Sequence, residues 1–429
     1  MKNFIINLRK LVSAEFIFLF FYSSISLIPA FGSIDKAATQ WLLLSLVNTG
    51  LVLFVIFNYN NYKFKFFSNS LLIKFYSLFI FSIIISLLYA YNTSEALIKL
   101  SQWFTLFSSF ILLIIFLSKI PRSHIFSTIL LFFIIQLYFT YDGYFKLLEF
   151  VNFDFSYSNL IKGVTGNKNI TAALFCMTIP VVYYFYLSVK NKVVVFLFFL
   201  FLVISFYAVL ILGSRSSYVI LFFVLIIYFF GFLFYNFKHE KINLIYSLFK
   251  MVFPFLFSLF IFSNITSHNT SINVSSRIST LTVKNESVQT RVFYYKAALN
   301  QFMESPFLGI GAGNWKIKSI DINKKTINGY TAPYHVHNDF LEVAAELGLL
   351  GIIPFFGIFT CIFFYCLKIL KSRIIFSDYI YALTLFICFI AYLIDSLFNF
   401  PHARPVSAIF LMIIFALITL EYFKLKDHE

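Results

Sequence analysis

Residues 193–212 read VVVFLFFLFLVISFYAVLIL and contain no charged side chain. As an α-helix, a run of this length extends about 30 Å, which matches the hydrocarbon core of a bilayer. The run therefore predicts a helix that crosses a membrane.

The rest of the chain has the same character. Of its 429 residues, 60% are hydrophobic and 12% are charged, whereas soluble domains have roughly 45–50% and 25%. An apolar excess of this size has to face lipid, so we expect an all-α polytopic membrane protein with about twelve transmembrane helices. The predicted spans are 11–31, 39–58, 72–91, 98–118, 125–141, 170–188, 193–212, 217–235, 243–263, 347–367, 379–398 and 406–423.

The long stretch between the ninth and tenth spans divides the chain into three parts. Residues 1–263 carry nine spans, residues 264–346 form a long, partly helical loop, and residues 347–429 carry three spans and a tail. Within the loop, Ser267–Thr282 predicts irregular structure, and the spacing in Ser287–Phe302 predicts a helix that stops at Ser305-Pro306. A shorter connection, 142–169, alternates apolar and acidic residues and predicts a helix lying at the membrane interface.

The basic residues orient these spans. The net charge is +15, but the basic residues are dispersed between apolar runs, so topology rather than nucleic acid explains most of them. Seventeen of them fall on one side of a twelve-span arrangement, which predicts that both termini are cytoplasmic. These residues are Lys2, Arg9, Lys10, Lys63, Lys65, Lys74, Lys119, Arg122, Lys190, Lys192, Lys238, Lys241, Lys368, Lys371, Arg373, Lys424 and Lys426.

The outer segment 264–336 is basic although it lies on the opposite side. It has eight basic and three acidic residues, a net charge of +5. Long outer segments escape the topology rule, so one interpretation is a solvated surface. The other interpretation is a site for an anion, and lipid-linked phosphates are the natural anions at that surface.

The motif Tyr334-His335-Val336-His337-Asn338-Asp339 follows this segment. Asn338 or Asp339 is suited to cap the next helix, which would place His337 just before a helix N-terminus. The dipole there disfavours imidazolium, and a neutral imidazole is suited to general-base catalysis. The alternative is a structural loop histidine. A zinc site is disfavoured because His335 and His337 have no further ligands spaced nearby.

Other polar features lie in turns and near the ends of spans. Arg215, in the turn Gly213-Ser214-Arg215-Ser216-Ser217, is suited either to pair with phosphate or to snorkel at the interface. The glycines of 306–314 predict a turn or backbone nest, since no strand precedes them. Few ionisable residues fall within spans, and most of these lie near span ends, where snorkelling explains them; they include Glu15, Lys99, Lys250 and Asp395.

The order of these motifs resembles the O-antigen ligase and O-antigen polymerase superfamily of bacterial membrane glycosyltransferases. The resemblance covers residues 166–351 and rests on four blocks. They are Gly166-Asn167-Lys168-Asn169, Gly213 to Ser217, Arg291 to Asn314, and His337 to Gly348.

The resemblance implies an enzyme of the bacterial inner membrane with a periplasmic active site and neither metal nor cofactor. A glycan on undecaprenyl diphosphate would be the donor, and lipid A core or a growing glycan the acceptor, with membrane lipid as a further partner. His337 would activate or position the acceptor, and Arg215 and Arg291 would bind the diphosphate. The implied substrate-binding residues are Lys168, Tyr334, Asn338 and Arg404.

Transfer to lipid A core, that is ligase activity, is the function expected first. The motifs do not separate it from a repeat-unit polymerase for O-antigen or exopolysaccharide, or from a protein O-oligosaccharyltransferase. A lipid-linked glycan flippase is the rival from another class, and it should show inverted repeats and charges at the midplane. Neither is evident in the sequence.

Overall fold

A computed structural model of the protein describes residues 13–33, 35–62, 70–239, 243–266, 286–323 and 333–426. All regular secondary structure in these ranges is helical, so the protein is an all-α polytopic membrane protein. The predicted loop Ser267–Thr282 and the basic residues Lys2, Arg9, Lys10, Lys63, Lys65 and Lys241 lie outside the described ranges.

The α-helices are numbered here in chain order. They are α1 Ala14–Ser24, α2 Lys36–Phe57, α3 Leu71–Ser86, α4 Thr93–Leu117, α5 Arg122–Leu148, α6 Lys168–Ser188, α7 Lys192–Leu212, α8 Arg215–His239, α9 Leu244–Thr266, α10 Glu286–Glu304, α11 Trp315–Asn323, α12 Asp339–Ser372, α13 Phe376–Phe398 and α14 Pro405–Lys426. Short 3₁₀ helices lie at Ile25–Leu27, Tyr59–Asn61, Tyr157–Leu160 and Pro401–Ala403.

Each of the twelve predicted apolar runs corresponds to one helix. Ten helices in the described ranges are long and apolar enough to cross a membrane, whereas Ala14–Leu27 and Leu71–Ser86 are apolar but shorter. The count of twelve spans therefore stays a prediction. The loop helix predicted at 287–302 is confirmed as α10, which ends at Glu304. The helix predicted to lie at the interface after residue 142 is instead the end of α5, which continues to Leu148.

Short polar side chains determine where many of these helices begin. Asp35 accepts a hydrogen bond from the amide of Ala37 at 2.9 Å, and Asn191 caps α7 through the amide of Val193 at 2.9 Å. Such caps satisfy amides that the first turn of a helix leaves without partners. Gly213 ends α7 in the left-handed region at φ 59°, as the predicted turn requires.

The chain forms two compact units. The first comprises residues 1–119, 283–365 and 396–429, and the second comprises residues 120–282 and 366–395. In the first unit, α14 packs along α4 and also contacts α1 and α2. In the second, α6 packs against α7 and α8, and α9 packs against the same two helices.

Helix α12 is broken at Gly348, close to the start of the tenth predicted span. Gly348 has φ 60° and ψ −157°, a conformation that essentially only glycine adopts. The segment 306–311 binds the backbone groups that the break leaves exposed, and an unpaired backbone group in an apolar setting is costly. Four hydrogen bonds make this contact: Ile310 N to Ala345 O (3.2 Å), Gly311 N to Glu346 O (2.8 Å), Leu349 N to Pro306 O (2.7 Å) and Leu350 N to Phe307 O (3.2 Å).

The glycine-rich segment 306–314 is thus a turn, as predicted, and the structure shows what it binds. A Cβ on Gly309 would lie 2.4 Å from the carbonyl carbon of Glu346. Only a residue without a side chain permits this approach. The segment therefore holds residues 339–347, the part of α12 before the break, as a separate short helix.

Candidate active site

A cavity of about 730 Å³ opens inside the first compact unit. Its walls come from the beginnings of α2 and α4, residues 333–337 before α12, the first turns of α12, and the turn 400–404 before α14. The lining residues that carry charge or can titrate are Asp35, Glu95, Lys99, Lys316, Tyr334, His335, His337, Glu342, Glu346 and Arg404.

His337 has a strained backbone at the edge of this cavity. Its φ is 62°, in a region that residues other than glycine seldom adopt. The hydroxyl of Tyr295 holds the conformation by donating a hydrogen bond to the carbonyl of His337 at 3.0 Å. Immediately afterwards Asn338 Oδ1 accepts a bond from the amide of Leu341 at 3.0 Å, so Asn338 caps α12, as predicted.

The imidazole of His337 is enclosed by aromatic rings. It meets Phe400 edge to face at 5.0 Å between centroids and lies nearly parallel to Tyr294 at 6.3 Å. Its Nδ1 is buried and makes no hydrogen bond to any residue that the structure describes. Burial first, and then the charges of Arg291 and Arg404, lower the pKa of His337 to about 4. A pKa this low makes the imidazole of His337 neutral at neutral pH, and its cause is burial and neighbouring charge rather than the helix dipole on which the sequence prediction rested.

Two arginines flank this histidine. Arg404 lines the cavity with its guanidinium 5.0 Å from the centre of the Phe400 ring. Its Nε is buried and has no hydrogen-bond partner among the described residues. Arg291, on α10, lies 3.5 Å from Asn399 Oδ1 through Nη2. Fixed guanidinium groups beside a neutral imidazole form a site suited to a phosphate group.

A buried network of ionisable residues, which the sequence analysis missed, lies behind these groups. Lys99 Nζ is 2.9 Å from His402 Nε2 and 3.4 Å from Glu342 Oε1. His402 Nδ1 in turn is 2.5 Å from Asp339 Oδ1. His335 Nδ1 lies 3.2 Å from both carboxylate oxygens of Glu342. All except His335 are less than 9% exposed, so the network belongs to the interior of the unit.

Lys99 therefore does not snorkel to the membrane surface. The sequence-based explanation for a lysine near the end of a span is wrong for this residue. Its side chain is only 10% exposed and reaches two partners inside the protein. The sequence contained one signal of this network. Asp339, Glu342 and Glu346 recur at helical spacing, so they share one face of a helix. If such an acidic face is buried, a cation has to balance its charge.

Glu346 connects the cavity to the glycine-rich segment. Its Oε2 accepts a hydrogen bond from the amide of Gly313 at 2.8 Å, and Oε1 accepts one from Trp315 at 3.1 Å. Nearby, Lys316 pairs with Glu95 at 2.5 Å and lies 5.9 Å from the ring centre of Tyr334. Gly313 and Lys316 thus line the cavity together with the carboxylates of Glu346 and Glu95 that they contact.

The comparisons with known proteins point to one family. Residues 200–356 match the profile of the family described as O-antigen ligase. A segment of 114 residues is 29% identical to the putative polysaccharide ligase of Rickettsia conorii, and it covers 26% of this chain and 26% of that protein. Both matches support the resemblance to the O-antigen ligase superfamily. The alignment spans about a quarter of the relative's length.

The ligase segment 200–356 contains part of the predicted site. Within the first unit it includes Arg291, Tyr334, His337 and Asn338, and Arg404 from outside it joins them there. Tyr334 and His337 line the cavity, whereas the side chain of Asn338 is occupied by the cap and by Leu397 O at 3.2 Å.

Arg215 and Lys168 belong to the second unit. Arg215 is the first residue of α8, directly after Gly213 and the buried Ser214. Lys168 is the first residue of α6, and its Nζ lies 2.6 Å from Ser158 Oγ. Among the described residues, no cluster of three or more His, Cys, Asp or Glu side chains is arranged to hold a metal ion.

Proposed function

We propose that the protein is an O-antigen ligase-type glycosyltransferase of the bacterial inner membrane. It transfers a glycan from undecaprenyl diphosphate to lipid A core on the periplasmic face, and both termini lie in the cytoplasm. The match of residues 200–356 to the O-antigen ligase family supports a transferase that acts on a glycan. The observation that carries the proposal is the grouping of His337 and Arg404 at one cavity, with Arg291 of the same unit close enough for its charge to act on His337.

The chemistry requires charge stabilisation at the leaving group. When the acceptor hydroxyl attacks the anomeric carbon, the bond to the diphosphate breaks and negative charge grows on its oxygens. Arg291 and Arg404 stabilise this charge by charge-assisted hydrogen bonds, and no metal is required. The family resemblance implies diphosphate binding by Arg215 and substrate binding by Lys168, both of the second unit. Because the site is largely buried, such interactions are stronger than they would be in water.

His337 contacts the reacting groups and activates or positions the acceptor. Its unpaired Nδ1 is able to hydrogen-bond a hydroxyl or a phosphate oxygen. Tyr334, an exposed aromatic residue at the cavity rim, offers a face for a sugar ring.

The test is transfer by the purified protein in lipid vesicles. Lipid-linked oligosaccharide is offered with lipid A core, and the product is detected by mass spectrometry. His337→Ala is expected to abolish transfer while the protein remains folded in the membrane. The matched control is His239→Ala, because His239 also packs on an aromatic ring, Tyr235 at 4.8 Å, but lies in the second unit. Full transfer by His337→Ala contradicts the assignment.

The choice of acceptor separates the sister activities. A second lipid-linked glycan that gains sugar identifies a repeat-unit polymerase for O-antigen or exopolysaccharide, and a peptide that gains sugar identifies a protein O-oligosaccharyltransferase. Movement of the lipid-linked glycan across the vesicle without any transfer identifies a flippase and overturns the proposal.

A further inference from the structure

His335 has the partner that a catalytic base needs. Its Nδ1 lies 3.2 Å from both oxygens of the Glu342 carboxylate. Because a carboxylate only accepts hydrogen bonds, Nδ1 carries the proton, and the basic atom of the neutral ring is Nε2. The ring lines the cavity, stacks on Phe400 at 4.2 Å and is 22% exposed, so it is both oriented and accessible.

Glu342 is itself held rigidly. The carboxylate is 2% exposed and accepts a hydrogen bond from the amide of Val336 at 3.0 Å. Lys99 lies against it at 3.4 Å, and Lys99 is fixed in turn by His402. A carboxylate with these partners keeps its charge and its direction, so it selects one tautomer of His335 and stabilises the imidazolium form.

His337 lacks such a partner. No carboxylate among the described residues hydrogen-bonds to it, and the charges of Arg291 and Arg404 oppose its protonation. Burial also lowers the pKa of His335, but the charge of Glu342 acts in the opposite direction. The other ionisable groups that face His335 are Lys99 from α4, His402 from the 401–403 turn and neutral His337.

We propose that His335 is the catalytic base of the transfer and that Glu342 is its positioning residue. This inference rests on the proposed glycosyltransferase function. The acceptor hydroxyl gives its proton to Nε2 of His335 as its oxygen bonds to the anomeric carbon. The bond from that carbon to the diphosphate oxygen breaks, and its electron pair leaves with the diphosphate. His335 then releases the proton to solvent, and His337 hydrogen-bonds the reacting groups without changing its protonation.

The first experiment compares turnover of wild type and His335→Ala at saturating donor and acceptor. Loss of general-base catalysis is expected to lower kcat about 10²- to 10⁴-fold. The KM for the donor is expected to stay within about threefold, because the arginines remain. Added imidazole should restore part of the lost turnover in His335→Ala, which a merely structural defect would not allow.

The second experiment measures kcat/KM against pH in Glu342→Gln. Removal of the carboxylate charge lowers the pKa of His335, so the acid limb of the profile is expected to move to lower pH. Glu304→Gln is the matched control, because Glu304 ends α10 and is exposed, and its profile should match wild type. If Glu342→Gln does not fold, imidazole rescue of His335→Ala decides the question alone.

The outcomes separate the two proposals. Turnover of His335→Ala within about threefold of wild type, absence of imidazole rescue, or an unshifted limb in folded Glu342→Gln overturns the role of the dyad and leaves the glycosyltransferase function standing. No transfer by wild type to any acceptor overturns the proposed function, and the inference falls with it.

Discussion

Lys99 and His402 are hydrogen-bonded, Nζ to Nε2 at 2.9 Å, although 303 residues separate them in the chain. They are 8% and 4% exposed, and Lys99 also contacts Glu342. Two carboxylates, those of Asp339 and Glu342, lie in this network. Because a buried charge without a partner is costly, Lys99 is the cation that allows the carboxylate of Glu342 to lie inside the first unit, whereas Asp339 is hydrogen-bonded to His402.

We therefore expect Lys99→Met to destabilise the protein strongly. The substitution keeps the volume but leaves the buried carboxylate of Glu342 without its cation, which costs about 3–5 kcal/mol in comparable buried pairs. The apparent melting temperature in detergent should fall by several degrees. Lys119→Met is the control, because Lys119 pairs with Glu15 at 3.3 Å with 38% of its side chain exposed. Such pairs contribute about 1 kcal/mol or less, and an equal loss in both variants would contradict the prediction.

A second prediction concerns the break in α12. Gly348→Ala places a Cβ 2.4 Å from the carbonyl carbon of Phe307 on a residue at φ +60°, so the segment 306–311 has to move. We expect little monodisperse protein by gel filtration in detergent. Gly50→Ala is the matched control, because nothing lies within 4 Å of the added Cβ in α2. There alanine should stabilise by up to about 1 kcal/mol, and a normal yield of Gly348→Ala would show that the break tolerates a side chain.

The helices were predictable from the sequence because a membrane span is determined by one continuous run of apolar residues. The helix at 287–302, the cap at Asn338 and the turn at Gly213 were likewise predicted from short patterns. The separate interfacial helix predicted after residue 142 was wrong, because residues 142–148 continue α5 without a break.

The buried network was not predictable in the same way. Lys99, Asp339 and His402 come from three distant parts of the chain, so patterns among neighbouring residues do not predict their contacts. His335 was considered only as a zinc ligand beside His337. Its carboxylate partner lies seven residues later, across the start of a helix, and the bend that joins them depends on the positive φ of His337.

A third prediction concerns pH. Burial, with the charge of Lys99, lowers the pKa of His402 to about 3 in the folded protein, against about 6.5 for an exposed histidine. The unfolded chain therefore binds this proton first as the pH falls. The stabilisation is fully present above about pH 6.5 and is lost progressively towards pH 3, by up to roughly 1.4 kcal/mol per pH unit.

The measurement is the apparent melting temperature between pH 7 and pH 5. Wild type should lose stability across this range, and His402→Gln should show a shallower dependence because it has no proton to take up at this position. Glutamine also changes the bond to Lys99, so the slope is compared rather than the absolute temperature. Parallel curves would show that His402 is already protonated in the fold.

The last prediction tests the arginine of the second unit. If Arg215 binds the donor diphosphate, as the family resemblance implies, Arg215→Ala removes a charge-assisted contact, and such contacts contribute about 1.5–3 kcal/mol. We expect kcat/KM for the lipid-linked donor to fall about 10- to 100-fold, with an unchanged amount of folded protein. Arg122→Ala is the matched control, since Arg122 also begins a helix of that unit but pairs with Asp378 at 2.9 Å. If transfer by Arg215→Ala equals that of Arg122→Ala, Arg215 anchors its turn at the lipid interface and does not bind the donor.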